Sequence, residues 1–190
     1  GTKVVDLKGH TAIPGLNDSH LHLIRGGLNY NLELRWEGVP SLADALRMLK
    51  EQALRTPSPQ WVRVVGGWTE FQFAERRMPT LDEINDAAPD TPVFILHLYD
   101  RALLNRAALK VVGYTKDTPN PPGGEIQRDA NGNPTGMLIA RPNAMILYAT
   151  LAKGPKLPLE QQVNSTRQFM RELNRLGLTS AIDAGGGFQN

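Results

Sequence analysis

Short apolar runs, separated by turn residues and amphipathic stretches, dominate the pattern of this chain. Each run is rich in Val, Ile or Leu and is bounded by Gly, Pro, Asn or Asp, which is typical of β-strands. The run at 92–98 is almost unbroken, as expected of a strand that is buried on both faces. The predicted strands cover residues 3–7, 11–13, 16–23, 61–65, 92–98 and 178–183.

Apolar residues at helical spacing lie between these runs. They predict helices at 41–55, 80–87, 101–112 and 159–176. The first begins at Ser41, and Asp44 three residues later makes a variant of the capping box. Gly113 and Gly177 follow the last two helices, where glycine commonly ends a helix. Alternating strands and helices predict an α/β fold with a parallel sheet.

One segment departs from this alternation. Residues 118–136 are rich in Pro, Gly, Asn and Asp, and an Asn131-Gly132 pair lies between two short runs at 125–128 and 135–139. Asn-Gly between such runs is a strong signal for a tight β-hairpin. The sequence therefore predicts an exposed hairpin, or small insertion, around residues 114–140.

Composition and charge exclude several classes of protein. Of the 190 residues, 41% are hydrophobic and 21% charged, which is ordinary for a globular protein with its own core. The net charge is only +2 and no basic cluster stands out, so we expect neither nucleic acid nor an anionic membrane as a partner. No apolar run approaches the length of a membrane span. The chain has no cysteine, which fits a reducing compartment and slightly favours the cytoplasm.

Two histidines at the end of an early strand carry the clearest chemistry. His20 and His22 follow a Pro14-Gly15 turn, and residues two apart on a strand share a face. Their imidazoles can therefore converge on one metal ion. A catalytic zinc usually takes three protein ligands, yet the only other histidines are His10 and His97. Further ligands must be carboxylates, these histidines, or residues outside the chain.

Two carboxylates lie near this pair in sequence or in the predicted topology. Asp18 shares the face of His20 and His22, where it could orient an imidazole or cap the strand. A facial metal site of these three residues is a weak alternative, because the outer Cα atoms would lie about 13 Å apart on a straight strand. Asp183 ends the last predicted strand, before a flexible glycine run at 185–187. It could line a pocket or bind backbone amides of that run.

The remaining candidates have simpler structural explanations. His97 lies among Phe94, Ile95, Leu96 and Leu98, so we expect a hydrogen-bonded core or pocket-wall histidine rather than a ligand. Trp68 could line a substrate pocket, although aromatic residues at this spacing more often pack in a core.

The segment from Val4 to His22 resembles the entry into the amidohydrolase superfamily, with its Pro-Gly turn followed by Asp-x-His-x-His. Further motifs follow in order and are similar to the branch that includes N-substituted formamide deformylases. They are Gly67-Trp68, Met78-Pro79-Thr80-Leu81-Asp82, Ala88-Pro89-Asp90-Thr91-Pro92-Val93, Leu104-Asn105-Arg106-Ala107-Ala108-Leu109, Gly123-Gly124-Glu125-Ile126 and Gly132-Asn133-Pro134-Thr135-Gly136.

The resemblance implies an α/β fold: the N-terminal part of a TIM (β/α)8 barrel with a remnant of a small β-sandwich and a β-hairpin insertion. Residues 1–14 would be the sandwich remnant, and residues 15–190 the barrel part with the insertion around 114–140. It also implies hydrolysis of a small-molecule amide or formamide C–N bond by water on a divalent metal, usually zinc, held by His20 and His22. The catalytic base and the remaining ligands are expected beyond Asn190.

Two positions depart from the pattern of relatives. Ala140 stands where many relatives carry a Glu that can take part in the metal site, and Asp100 stands where many carry a His. A non-catalytic binding or scaffold module with a degenerate metal site is therefore the competing hypothesis. An incomplete barrel would expose its last strand, Leu178–Asp183, so we also expect self-association or pairing with the remainder of the barrel.

Overall fold

A computed structural model of the protein describes residues 1–185. It contains two compact units, one made of Gly1–Asn31 and the described part of Leu157–Asn190, the other of Leu32–Lys156. No helix within residues 1–185 is long and apolar enough to cross a membrane. The strands are β1 (Leu16–Leu21), β2 (Glu33–Arg35), β3 (Val62–Val65), β4 (Val93–His97), β5 (Arg101–Leu104), β6 (Gly124–Arg128), β7 (Pro134–Ala140) and β8 (Leu178–Asp183). The α-helices are α1 (Leu23–Gly27), α2 (Leu42–Arg55), α3 (Leu81–Ala87), α4 (Arg106–Val112), α5 (Met145–Leu151) and α6 (Leu159–Arg175).

The first unit is built on a parallel pair, β1 and β8, with Leu16 opposite Leu178 and Leu21 opposite Asp183. The predicted strands at 16–23 and 178–183 are confirmed, although the first ends two residues early. Gly26 and Gly27 form the end of helix α1. A Cβ on Gly27 would lie 2.9 Å from the Thr166 side chain, so glycine allows α1 to approach α6 closely.

The predicted strands at 3–7 and 11–13 are not formed. Residues 1–15 contain neither helix nor strand, so the expected sandwich remnant at 1–14 has no sheet here. A strand exists only when a neighbour accepts and donates its backbone hydrogen bonds, and these residues have no such neighbour among those described. Val4 and Ile13 accordingly remain 87% and 71% exposed.

The second unit contains a six-stranded sheet in the order β2-β3-β4-β5-β7-β6. The strands β2, β3 and β4 run parallel, whereas the other three pairings are antiparallel. The expected parallel sheet is therefore confirmed for β2, β3 and β4 and is wrong for the pairing of β4 with β5 and of β5 with β7. Consecutive strands β4 and β5 join through a tight turn rather than through a helix, and only antiparallel neighbours can be connected that way.

The helix predicted at 101–112 is corrected to a strand followed by a shorter helix. Leu98 and Tyr99 have φ of 44° and 62°, so the chain reverses there and β5 returns along β4 with Arg101 opposite His97. Helix α4 begins only after Asn105, whose side chain accepts the backbone N–H of Ala108. The reversal contains no Gly or Pro, the two strongest local signals of a turn.

The predicted hairpin is confirmed as β6 and β7, which pair antiparallel. It is not an exposed appendage, because β7 also pairs with β5 and is part of the six-stranded sheet. Ile126 and Leu138 on the two hairpin strands are buried in one core. By its internal contacts the chain divides at residues 31/32 and 156/157. The expected domain bounds, a barrel part at 15–190 with an insertion around 114–140, stay a prediction.

Two hydrophobic cores cover the two faces of this sheet. Val93 and Ile95 of β4 lie in the first core with Trp36 and Trp68, whereas Phe94 lies in the second with Trp61. The almost unbroken apolar run of β4 is thus explained by burial on both faces, as the sequence predicted.

A buried carboxylate lies on edge strand β2. Glu33 is 11% exposed, accepts a hydrogen bond from Arg35 Nη2 at 2.7 Å and lies opposite Arg63 of β3. Burial outweighs the attraction of Arg35 and Arg63 and raises the pKa of Glu33 to about 6.

We expect the pH dependence of stability to reveal this group. Because the pKa of Glu33 in the folded state lies above its unfolded value, the folded state binds the proton more tightly. The protonated carboxyl therefore adds to the free energy of unfolding at low pH, and this stabilisation is lost as pH rises through 6. The loss amounts to about 2 kcal/mol between pH 4.5 and 7.5. Urea unfolding of the parent and of Glu33→Gln over this range should show the variant gaining about 2 kcal/mol relative to the parent. A difference that stays constant with pH would contradict the assignment.

Candidate functional site

The carboxyl ends of parallel strands β1 and β8 meet at one edge of the first unit. The turn before β1 is tightly packed, because a Cβ on Gly15 would lie 2.1 Å from Thr179 Oγ1. The Leu16 N–H donates to the Gly177 carbonyl at 2.9 Å and fixes where β1 begins. Local packing thus places His20 near the end of β1, His22 just beyond it, and Asp183 at the end of β8.

The two imidazoles lie close together at this edge. Their ring centroids are 5.5 Å apart and their planes meet at 81°. Nδ1 of His22 lies 2.9 Å from the carbonyl oxygen of Gly185. A carbonyl only accepts, so Nδ1 carries the hydrogen and Nε2 keeps its lone pair for a ligand. Metal-binding histidines are commonly oriented by such a bond to a backbone carbonyl.

The two nearby carboxylates bind backbone amides. Asp18 Oδ1 accepts the N–H of His20 at 2.8 Å. Asp183 accepts the N–H of Ile24 at 3.0 Å and that of Gly185 at 2.9 Å, and these bonds hold the pKa of Asp183 below its usual value. Asp183 therefore ties the segment after β1 to the segment after β8. The remaining glycines of the predicted 185–187 run lie outside the described residues.

The donor set fits part of a metal centre. His20 is exposed and His22 half-buried, so both rings are accessible to an ion, and imidazole nitrogen is a good donor for zinc. Within residues 1–185, however, no three His, Cys, Asp or Glu side chains are grouped so that they could hold a metal ion. His20 and His22 are therefore two candidate nitrogen ligands that would need further ligands to complete a metal site.

A second polar cluster lies in the other unit, around His97. The imidazole is buried, with Nε2 2.8 Å from Glu70 Oε2 and Nδ1 2.9 Å from Asp100 Oδ1. A neutral imidazole has one N–H, so it can donate to only one of these two carboxylates at a time, and the second N–H of a protonated ring would satisfy both. Asp100 Oδ2 accepts two further bonds from Arg101.

The carboxylates of this cluster are held ionised. Partial burial acts to raise the pKa of Glu70, but hydrogen bonds from its own backbone N–H and from His97 outweigh it, and the pKa lies below its usual value. Burial also acts to raise the pKa of Asp100, but its hydrogen bonds with His97 and Arg101 outweigh burial and hold that pKa below its usual value. Sequence reasoning missed Glu70 and Arg101, because nothing local in the sequence joins either to His97.

Trp68 packs in the first core rather than lining an open pocket. It is fully buried, stacks on Phe73, and donates its Nε1 hydrogen to the carbonyl of Leu96 at 2.9 Å. The two positions that depart from the pattern of relatives are neighbours, since the Ala140 N–H donates to the Asp100 carbonyl at 2.9 Å. His10 is exposed.

Comparison with known proteins assigns the family. Residues 3–190 match the sequence model of the amidohydrolase family. YtcJ of Bacillus subtilis (strain 168) is 36% identical over 149 residues, which are 78% of this chain and 28% of YtcJ. The N-substituted formamide deformylase of Arthrobacter pascens is 30% identical over 184 residues, which are 96% of this chain and 34% of the deformylase.

A solved structure shares the fold. An uncharacterized metal-dependent hydrolase from Pyrococcus horikoshii OT3 aligns with 88% of this chain and 30% of its own, with a TM-score of 0.55 and 23% identity. The chain thus spans about a third of the length of these proteins. The paired histidines at the carboxyl end of β1 agree with the match over residues 3–190, and the chain belongs to the amidohydrolase family.

Proposed function

We propose that the protein to which this chain belongs is a metal-dependent hydrolase that cleaves the C–N bond of a small amide or formamide with metal-activated water. The observation that carries this proposal is the oriented histidine pair. His22 is held by Gly185 with Nε2 available, and the ring of His20 lies 5.5 Å away at the carboxyl edge of β1 and β8. Family membership and the deformylase relative support the reaction class.

The chain's own residues have separate roles in this proposal. His20 and His22 would hold a divalent metal, for which zinc is the best fit to imidazole donors, and such an ion supplies Lewis acidity and a water of lowered pKa. The Gly185 carbonyl fixes the tautomer of His22. Asp183 keeps the two strand ends together through Ile24 and Gly185, which preserves the spacing of the ligands. The base and the other ligands would come from residues beyond Asn190.

We further propose that β1 and β8 are neighbouring strands of a (β/α)8 barrel, and that Leu32–Lys156 is a domain inserted between them. The parallel pairing of β1 with β8, and α6 leading into β8, fit the strand–helix–strand units of such a barrel. The outer strand β8 is largely exposed, with Ile182 65% exposed. An uncovered strand of this kind invites pairing, either with later barrel strands or with a second copy.

The test uses the full-length protein and its metal content. His20→Ala and His22→Ala should each reduce bound zinc, measured by atomic emission, at least tenfold, with a parallel loss of formamide hydrolysis. His10→Ala is the matched control, because His10 is exposed in the segment before β1, and it should retain both. Full metal content and activity in both site variants would refute the proposal.

A scaffold protein with a degenerate site is the second candidate. It is favoured by Ala140, at a position where the resemblance implies a Glu in many relatives, and by the presence of only two clustered imidazoles within the described residues. The same measurements separate the two candidates. A full-length protein that folds without metal and binds zinc no more tightly than His20→Ala does would support the scaffold.

A further inference from the structure

A shallow concavity of about 190 Å³ lies in the second unit, and its lining includes neither His20 nor His22. Its walls come from the antiparallel part of the sheet. The lining residues are Asp100, Arg101, Gln127, Met137, Ile139 and Arg141. None of these residues has a role in the proposed hydrolysis.

The strand register builds the floor of the concavity. Arg101 of β5 lies opposite Ile139 of β7, and Met137 lies two residues before Ile139, so these side chains share one face of the sheet. Met137 and Ile139 are half-buried and supply an apolar surface. Gln127 of β6 belongs to the same face.

Hydrogen-bond donors surround this apolar floor. The guanidinium of Arg141 is exposed and makes no hydrogen bond or ion pair with any of residues 1–185. Arg101 uses Nε and Nη2 on Asp100, which leaves Nη1 as a donor. Gln127 Oε1 accepts from Thr135 Oγ1 at 2.8 Å, so its amide nitrogen remains a donor.

The charge of the lining is positive. Arg101 and Arg141 are two cations, and Asp100 is the one anion of the lining. Both oxygens of Asp100 are already engaged, Oδ1 by His97 and Oδ2 by Arg101. Nε2 of His97 in turn lies 2.8 Å from Glu70 Oε2. Arg141 is therefore a cation that has no ion-pair partner among residues 1–185 and lies beside an apolar floor.

We propose that this concavity binds a small organic anion, a carboxylate with a short aliphatic chain. The guanidinium groups would hold the carboxylate through charge-assisted hydrogen bonds, and the aliphatic chain would cover Met137 and Ile139. The volume is smaller than the pockets of about 300–1,000 Å³ that enclose drug-sized ligands, which restricts the ligand to a few carbons. Binding requires no metal, so this proposal stands or falls independently of hydrolysis.

The test titrates sodium butyrate into the 190-residue chain at constant ionic strength and follows backbone amide shifts by NMR. We expect saturable shifts confined to the amides around 100–101, 127 and 137–141, with a Kd of about 1–10 mM. Butyramide, which has the same aliphatic chain without the charge, should bind at least tenfold more weakly. Equal binding of butyramide, or shifts that do not saturate, would overturn the proposal.

Matched charge variants locate the interaction. Arg141→Gln should weaken butyrate about tenfold. Lys116→Gln, which removes an equally exposed cation of the same unit, should leave the Kd unchanged. Glu125 is exposed on the lining face opposite Ile139, so Glu125→Gln should tighten binding. If Arg141→Gln and Lys116→Gln behave alike, the effect is one of net charge and the site is refuted.

Discussion

Replacing Asn105 with alanine is expected to lower the free energy of unfolding by about 3–5 kcal/mol. The side chain is fully buried and makes four hydrogen bonds to the backbone. Oδ1 accepts from the N–H groups of Val93 at 3.0 Å and Ala108 at 2.9 Å, whereas Nδ2 donates to the carbonyls of Ala88 at 2.7 Å and Thr91 at 2.8 Å. Alanine would leave these four buried groups without their partner, and each unpaired group costs about 1–3 kcal/mol before the structure relaxes.

Two companion variants isolate the cause. Asn105→Asp keeps the two acceptor contacts but removes both donors and buries a carboxylate, so it should be at least as destabilising as alanine. Asn143→Ala removes an exposed side chain that accepts the Met145 N–H at 3.0 Å, and it should cost no more than about 1 kcal/mol. Urea unfolding of the three variants would measure these values. A cost below about 1 kcal/mol for Asn105→Ala would show that water replaces the lost partner.

Sequence signals were reliable where the residues that carry them set the local backbone conformation themselves. Ser41 accepts the Asp44 N–H at 3.0 Å, as the capping variant predicted, and α2 begins at the next residue. The Asn131-Gly132 signal was equally direct, with Gly132 at a φ of 83° between β6 and β7. In each case a few adjacent residues determine the conformation, so no distant contact is needed to predict it.

Failures arose where a distant partner decides the structure. The sequence predicts β7 only as part of an exposed hairpin or small insertion, because its second pairing, with β5, joins residues more than thirty positions apart. The same limit applies to 3–7 and 11–13, whose apolar alternation is strand-like but finds no partner among the described residues. Periodicity predicts which face of a strand is apolar, and it does not predict which strand lies beside it.

The candidate site also combines features that local sequence predicts with features that depend on distant residues. The spacing of His20 and His22 predicted that their rings approach one another, and the centroids are 5.5 Å apart. The Gly185 carbonyl that fixes the tautomer of His22 comes from the far end of the chain, where a backbone group carries no sequence signal. Around His97 one carboxylate, Glu70, comes from a short 3-10 helix and the other, Asp100, from the turn between β4 and β5. Only the three-residue spacing from His97 to Asp100 was visible in the sequence.

Replacing Gly136 with alanine should be the most damaging single-methyl change in the second unit. Gly136 lies in β7 with a φ of 89°, a backbone conformation that residues other than glycine rarely adopt. A Cβ there would lie 2.3 Å from the carbonyl oxygen of Leu104 and 3.0 Å from Leu81 Cδ1. The oxygen belongs to the backbone of a neighbouring strand and cannot move without disturbing the sheet, so we expect a loss of about 4 kcal/mol or more.

Gly113→Ala separates the collision from the backbone conformation. Gly113 ends helix α4 with a φ of 73°, and a Cβ there would meet nothing within 4 Å. It should therefore show only the cost of the left-handed conformation, about 1–2 kcal/mol. The difference between the two variants, measured by urea unfolding or by the yield of folded protein, reports the contact with Leu104. Equal losses of unfolding free energy would mean that β7 can move away from β5 at little cost, and would contradict a tightly paired β5–β7 ladder.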